Sequence, residues 1–206
     1  MDVLHEVSVM IWLVMIFAFA LNAAERYIAV RRPSRISSSK YGGTADKAND
    51  GNINAIFKRG SCPHNGDSLK PWWAVDLESE RLVLSVHIYN RVDVPSQLHD
   101  LLLGLKDTWP TNKGSTLVAT DAMCGTLVGP QRSARLMIQC EKNAVGRYLV
   151  IQNDGRSALT LCEVKVFGVH RALEKLSDVR VGLKDTWPTN NGSTLIAMDA
   201  MCGKRD

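Results

Sequence analysis

In the stretch Thr160-Leu161-Cys162-Glu163-Val164-Lys165-Val166-Phe167, Cys162, Val164 and Val166 alternate with Glu163, Lys165 and Phe167. A two-residue period puts the first set on one face of an extended chain, so this run reads as a half-buried β-strand. Short β-prone runs recur upstream at residues 72–77, 82–89, 101–105, 116–120, 134–139 and 148–152, with Gly, Asn, Asp and Pro clusters between them. Helical periodicity of useful length is confined to the N-terminal apolar stretch and residues 171–176. Many short strands separated by turn residues predict an all-β sandwich or barrel between residues 41 and 169.

Length and composition bound the reading further. The 206 residues have room for one sizeable domain and a tail, and 45% hydrophobic with 22% charged residues is an ordinary globular balance. Residues 7–21 are almost uninterruptedly apolar and precede Asn22-Ala23-Ala24-Glu25, the pattern of a secretory signal peptide over 1–24 followed by a linker over 25–33. Asp2 and Glu6 stand where basic residues are usual, which leaves a signal anchor as the competing reading, although the run is short for a bilayer span. Secretion without stable membrane insertion is the expectation. Removing residues 1–24 takes away Asp2 and Glu6 and no base, so the formal charge of +4 becomes +6. The bases are scattered and do not form a stripe with interleaved aromatics, which argues against a nucleic-acid interface.

All five cysteines, Cys62, Cys124, Cys140, Cys162 and Cys202, follow the signal-like stretch, so disulfides are expected. Any four of them allow three pairings, and no CxxC spacing points to a thiolate metal site. Asp76, Asp93 and His64 are the residues from which a hydrolytic cluster would be drawn. No GxSxG, HExxH or P-loop pattern accompanies them, and no catalysis is expected.

Residues 104–125 read GLKDTWPTNKGSTLVATDAMCG and residues 182–203 read GLKDTWPTNNGSTLIAMDAMCG, differing only at Lys113/Asn191, Val118/Ile196 and Thr120/Met198. This is a duplicated segment and not a solenoid, which stacks about three or more units. The tail, 171–206, is a partial repeat of 94–125 without a counterpart of Cys140, and is expected to be structurally marginal. Cys202 is then either a free thiol or a link between chains. Asn191-Gly192-Ser193 is a glycosylation sequon that Lys113 removes from the first copy.

His64 precedes the run Trp72-Trp73-Ala74-Val75-Asp76-Leu77, and Arg91-Val92-Asp93 follows it, with Arg91 twenty-seven residues after His64. Upstream lies Asp50-Gly51-Asn52, and downstream Leu161-Cys162-Glu163-Val164. In this order the pieces resemble the F-type lectin (fucolectin) domain, over residues 34–170. The resemblance implies a calcium-containing, fucose-binding jelly-roll β-sandwich related to discoidin-type domains. It also implies disulfides Cys62–Cys162 and Cys124–Cys140. In the chain-entropy model, loops of about 100 and about 15 residues contribute roughly 4.7 and 3 kcal/mol.

Carried over by position, the calcium ligands would be side-chain oxygens of Asp50, Ser61 and Glu163 and backbone carbonyls of Lys47, Asn52 and Cys162. These are hard oxygen donors, and two carboxylates balance a divalent cation. Lys47 replaces a frequent asparagine, which a backbone ligand tolerates.

The sugar site implied by the resemblance uses His64 and Arg91, charged donors suited to vicinal hydroxyls, with Asp93 orienting the guanidinium. The third basic residue of the pattern is missing. Leu98 stands five residues after Asp93, or Gln97 if one residue has been lost, and Gln97 or His99 is the available neutral donor. Val94-Pro95 replaces an adjacent cysteine pair. One lost charge-assisted bond is worth about 1.5–3 kcal/mol, or roughly one to two decades of affinity. Of Trp72 and Trp73, at least one is expected in the core. The resulting expectation is a secreted lectin for fucosylated glycans in innate immune recognition or agglutination, clustered as a homo-oligomer to gain avidity, with Cys202 as a possible link between chains. The rival expectation is a discoidin-like adhesion module for protein or phospholipid with a lapsed fucose site.

Overall fold

The computed structural model describes residues 26–111 and 122–170. The signal-like stretch 1–24, the expected strand 116–120, the tail repeat with its helical stretch 171–176, the Asn191 sequon and Cys202 lie outside the described residues. No helix among the described residues is long and apolar enough to cross a membrane.

The strands are β1 (Arg26–Tyr27), β2 (Ser34–Ile36), β3 (Ser68–Leu69), β4 (Trp72–Tyr89), β5 (His99–Lys106), β6 (Met123–Pro130), β7 (Arg135–Gln139), β8 (Val145–Asn153), β9 (Arg156–Ser157) and β10 (Glu163–His170). The runs 72–77 and 82–89, expected as two strands, form the single long β4. Its first half, Trp72–Asp76, pairs with β2 and β8. Its second half, up to Tyr89, pairs antiparallel with β10 and β7. Between them the register with β8 shifts from Asp76 to Arg81, and Glu78 takes a left-handed φ of 66°. Such an irregularity bends a strand and increases its twist, which lets one strand serve two layers. β8 continues to β5 and β5 to β6, while β10 carries β1 at its far edge. The result is the expected jelly-roll β-sandwich, all antiparallel.

The core lies between the layers. From β4, Trp73, Val75, Leu77, Val86 and Ile88 point inward to meet Leu101, Leu103 and Leu105 of β5, Leu149 and Ile151 of β8, and Val164 and Val166 of β10. Trp73 is fully buried, and its indole N–H donates to the Ala45 carbonyl at 2.9 Å. Trp72 faces the other side of the sheet, where it is covered with Ala74 and Val150 by Leu102, Trp109 and Met123. Both tryptophans are therefore packing residues. On that same outer face, Asp76 receives two hydrogen bonds at 2.8 Å from Arg147. The guanidinium holds this carboxyl below its ordinary value.

β6 was not expected, because Gly125, Gly129 and Pro130 read as turn chemistry. Among the described residues it pairs with β5 alone and lies at the end of the strand order, where such residues are tolerated. The disulfides join Cys62 to Cys162 and Cys124 to Cys140.

Leu103→Ala is expected to cost about 2–5 kcal/mol, because this fully buried side chain would leave a cavity between layers. Val128→Ala, on the edge strand and 86% exposed, should change stability by no more than about 0.5 kcal/mol. Urea denaturation monitored by tryptophan fluorescence checks both, and equal losses would contradict the assignment of the core.

Candidate functional site

The site is assembled by loops at one end of the sandwich, and the Cys62–Cys162 bridge ties two of them together. Beyond the bridge, His64 forms an isolated β-bridge with Thr160. The His64 Nδ1 atom lies 2.6 Å from the Thr160 hydroxyl. The turn from Lys40 to Gly43 packs against this strand: the Lys40 N–H donates to the His64 carbonyl at 2.9 Å, and the Gly43 N–H closes the turn onto Lys40 at 3.0 Å. Tyr41 and Gly42, with φ of 54° and 70°, give the turn the doubly left-handed form of a type I′ hairpin turn. Gly43 is obligatory, since a Cβ there would lie 2.4 Å from the His64 nitrogen. This turn seats the Tyr41 ring, 79% exposed, 5.5 Å from the His64 ring.

Phe57 packs against both rings, its centroid 6.5 Å from that of Tyr41 in an edge-on arrangement. It opens a short 3-10 turn, Phe57–Arg59, that Gly60 ends at a φ of 72°. Its ring centroid is 5.1 Å from His64, and the Arg91 guanidinium sits 4.6 Å above it. Tyr41 and Phe57 therefore form an aromatic wall beside two polar side chains.

Arg91 follows the end of β4 and is nearly buried. Its Nε donates to Asp93 Oδ1 at 2.9 Å and its Nη2 to Oδ2 at 2.5 Å, a bidentate pair. Residues two apart on a strand would share a face, but the strand does not extend this far. Residues 92–94 form a bend beyond the strand, and the pairing comes from that bend. The bend is clamped by the Val92 N–H, which donates to the Ala55 carbonyl at 3.0 Å. Arg91 Nη1 donates to Gln97 Oε1 at 3.0 Å. Of five guanidinium N–H groups, three are used among the described residues, leaving two for a ligand.

The alternatives Leu98 and Gln97 are distinguished by the 3-10 turn Pro95–Gln97. Leu98 leaves that turn into the core, 2% exposed, while Gln97 turns toward Arg91. The buried Asn90 fixes the turn by donating to the Pro95 and Gln131 carbonyls, both at 3.0 Å. His99 begins β5 and pairs with Asp100 at 2.9 Å, so it does not join the cluster. Asp93 and Asp76 bind different arginines, and the imagined hydrolytic cluster of Asp76, Asp93 and His64 finds no bond linking it among the described residues.

The electrostatics follow from this packing. Burial first, then the positive charges of Arg91 and Lys40, push the His64 imidazole below its ordinary value, so it is neutral at neutral pH. The hydrogen bonds from Arg91 hold the Asp93 carboxyl low. Four residues of the cluster carry no sequence signal or an ambiguous one: Tyr41, Phe57, Thr160 and Gln97. Of these, only Gln97 was named from the sequence, as the alternative to Leu98 and a neutral donor.

The second constellation adjoins the bridge. Asp50 Oδ1 accepts the Asn52 N–H at 2.7 Å, Asn52 Oδ1 the Asn54 N–H at 3.1 Å, and Asn54 Oδ1 the Ile56 N–H at 3.0 Å, three successive Asx turns. Gly51, at a φ of 93°, donates its N–H to Glu163 Oε2 at 3.2 Å. That bond brings the Asp50 loop onto Glu163. Glu163 breaks the alternation of its strand: it lies on the outer face yet is fully buried, with the Tyr27 hydroxyl donating to Oε1. Burial, with a contribution from the Asp50 charge, raises its carboxyl above the ordinary value. Among the described residues it has no salt bridge. Ser61 donates to the Asn54 carbonyl at 2.6 Å, and the Lys47 side chain donates to the Gly42 carbonyl at 2.9 Å. Cys162 donates its N–H to the Tyr89 carbonyl at 2.9 Å. Glu163 is thus a buried carboxylate in the field of a second acid, Asp50, the kind of oxygen pair that suits a hard divalent ion, although the described residues hold no cluster of three or more His, Cys, Asp or Glu.

Comparison with known proteins adds the context of relatives. Residues 47–151 match the family model described as NedA-like, galactose-binding domain. The chain is 31% identical over 122 residues to fucolectin-6 of Anguilla japonica, covering 59% of this chain and 62% of that protein. It is 30% identical over 125 residues to a fucolectin of Anguilla anguilla, covering 59% and 75% respectively. It thus spans less than two thirds of the first curated relatives it matches, 62% and 64% of their lengths. Among solved structures, the serum fucolectin of striped bass, Morone saxatilis, aligns with a TM-score of 0.62 at 29% identity, over 70% of this chain and 48% of that one. A fucose binding module of Streptococcus pneumoniae aligns with a TM-score of 0.58 at 28% identity, over 69% and 95%. With the sandwich, the bridges and these relatives in agreement, the chain belongs to the F-type lectin (fucolectin) family.

Proposed function

We propose that this protein is an extracellular lectin that binds fucosylated glycans through His64 and Arg91. The observation that carries this reading is Arg91 itself: a nearly buried guanidinium, oriented by Asp93 and Gln97, stacked on Phe57 beside His64, with two N–H groups unspent. A deoxyhexose such as L-fucose presents hydroxyls on one side and a methyl group on the other. Arg91 and His64 would engage the hydroxyls, and the Tyr41–Phe57 wall would take the apolar part. The disulfides support an oxidising compartment, and a relative found in serum supports secretion. Agglutination in innate recognition would require clustered sites, hence a homo-oligomer, for which Cys202 offers one crosslink.

Calcium is part of the same proposal. Glu163 and Asp50 would hold the ion with Ser61 and the carbonyls of Lys47, Asn52 and Cys162. Bound there, it would neutralise the buried carboxylate and stiffen the loop that leads to Phe57. The role is structural, and the sugar contacts belong to the side chains.

Arg91→Ala is expected to weaken binding to an immobilised fucosylated neoglycoprotein by at least about ten- to a hundred-fold, and His64→Ala by about ten-fold, measured by surface plasmon resonance. Unchanged binding in both variants would refute the site and favour the adhesion reading, for which phosphatidylserine vesicles are the first probe.

Chelation with EDTA should lower the melting temperature by roughly 5–10 °C if calcium is present at about a hundred times its dissociation constant. Glu163→Gln should abolish that calcium-dependent difference. Identical melting of the parent protein with and without EDTA would remove calcium from the account.

A further inference from the structure

We propose that Gln97 is the third polar contact of the sugar site, donating its amide N–H to the ligand while its carbonyl, acting through Thr160, sets the tautomer of His64. The first half rests on the fucose-binding reading above; the second stands on geometry alone.

A guanidinium has donors only, so the Gln97 atom facing Arg91 Nη1 at 3.0 Å must be the carbonyl oxygen. The amide nitrogen is thereby turned away from Arg91. Among the described residues it has no protein partner, and Gln97 is only half-buried. Arg91 thus presents the Gln97 N–H₂ as a neutral, oriented donor. It stands where the sequence lacks the third basic residue.

Thr160 is buried, and its hydroxyl lies 2.6 Å from His64 Nδ1 and 3.5 Å from Gln97 Oε1. The hydroxyl has one proton to give. Donated to His64, it leaves the longer contact to Gln97 unmade. Donated to Gln97, it lets a proton on His64 Nδ1 point at the Thr160 oxygen, so that both bonds form in one direction and reinforce each other. Two bonds outweigh one, and His64 then carries its proton on Nδ1. Its Nε2 is left as a bare acceptor.

The site therefore offers a ligand one acceptor, His64 Nε2, and neutral as well as cationic donors, from Gln97 and Arg91. That set matches sugar hydroxyls, each able to donate once and accept twice.

The test uses the full chain, labelled with ¹⁵N, at a pH where His64 is neutral. Long-range ¹H–¹⁵N correlation should show the Nδ1–H tautomer in the parent protein. Gln97→Glu, which keeps a carbonyl-type oxygen toward Arg91 and Thr160, should retain that tautomer. It should also bind L-fucose about three- to ten-fold more weakly for want of the amide donor. Gln97→Leu and Thr160→Val should both shift His64 toward Nε2–H. An Nε2–H tautomer in the parent protein, or no shift in Gln97→Leu, overturns the relay. Parental affinity for L-fucose in Gln97→Glu and Gln97→Leu overturns the donor role while leaving the lectin reading intact. Failure of the parent protein to bind L-fucose removes the donor role together with that reading, and the tautomer still decides the relay. If Thr160→Val does not fold, the contrast between the two Gln97 variants carries the same decision.

Discussion

The Cys62–Cys162 bridge is the constraint on which the functional end of this molecule depends. Residues 51–60 contribute almost nothing to the core: they are mainly exposed and held by Asx turns. A loop so poorly buried cannot order itself against its conformational entropy. The bridge fixes its far end to the start of β10, a hundred residues away. From that one anchor, Ser61 and His64 are placed on one side, and Thr160 and Glu163 on the other. The His64–Thr160 bond and the Gly51–Glu163 bond are both local consequences of this crosslink.

A second tier of order comes from buried amides. Asn90, fully buried, gathers the carbonyls of Pro95 and Gln131 and so shapes the turn that turns Gln97 toward the site and Leu98 into the core. Asn49 does comparable work upstream, donating to the carbonyls of Ala29 at 2.7 Å and Arg32 at 2.9 Å just before the Asp50 loop. These side chains substitute for the strand ladder where the chain leaves the sheet, which is why irregular loops can hold side chains to hydrogen-bonding tolerance. Binding residues on rigidly held loops above a sandwich combine a stable scaffold with a specifiable surface.

The strands were legible in the sequence where two-residue alternation is strong, as in β10, or where a β-prone apolar run is bounded by turn residues, as in β8 and β4. They were not where Gly and Pro sit on an edge, as in β6. The bend that joins the two halves of β4 has no sequence signature, because it depends on Glu78 adopting a left-handed backbone in tertiary context. At the site, His64, Arg91 and Asp93 were singled out by the resemblance to the F-type lectin pattern. Tyr41 and Phe57 were not, because single aromatics in turn-rich loops carry no period and only the fold brings them to the imidazole. The choice between Leu98 and Gln97 was undecidable by counting, since one residue in a 3-10 turn exchanges core for site. The duplicated segment illustrates the same limit: its first copy supplies Leu105 to the core and Trp109 to the outer face, while the second lies beyond the described residues.

The central claim, that this family scaffold retains a working sugar site with Gln97 in place of a cation, is tested most directly by calorimetric titration of the calcium-loaded protein with L-fucose. The account predicts saturable heat with a stoichiometry of about one sugar per chain, consistent with the single cluster around Arg91. No heat at millimolar sugar, from a sample shown to be folded, would contradict it.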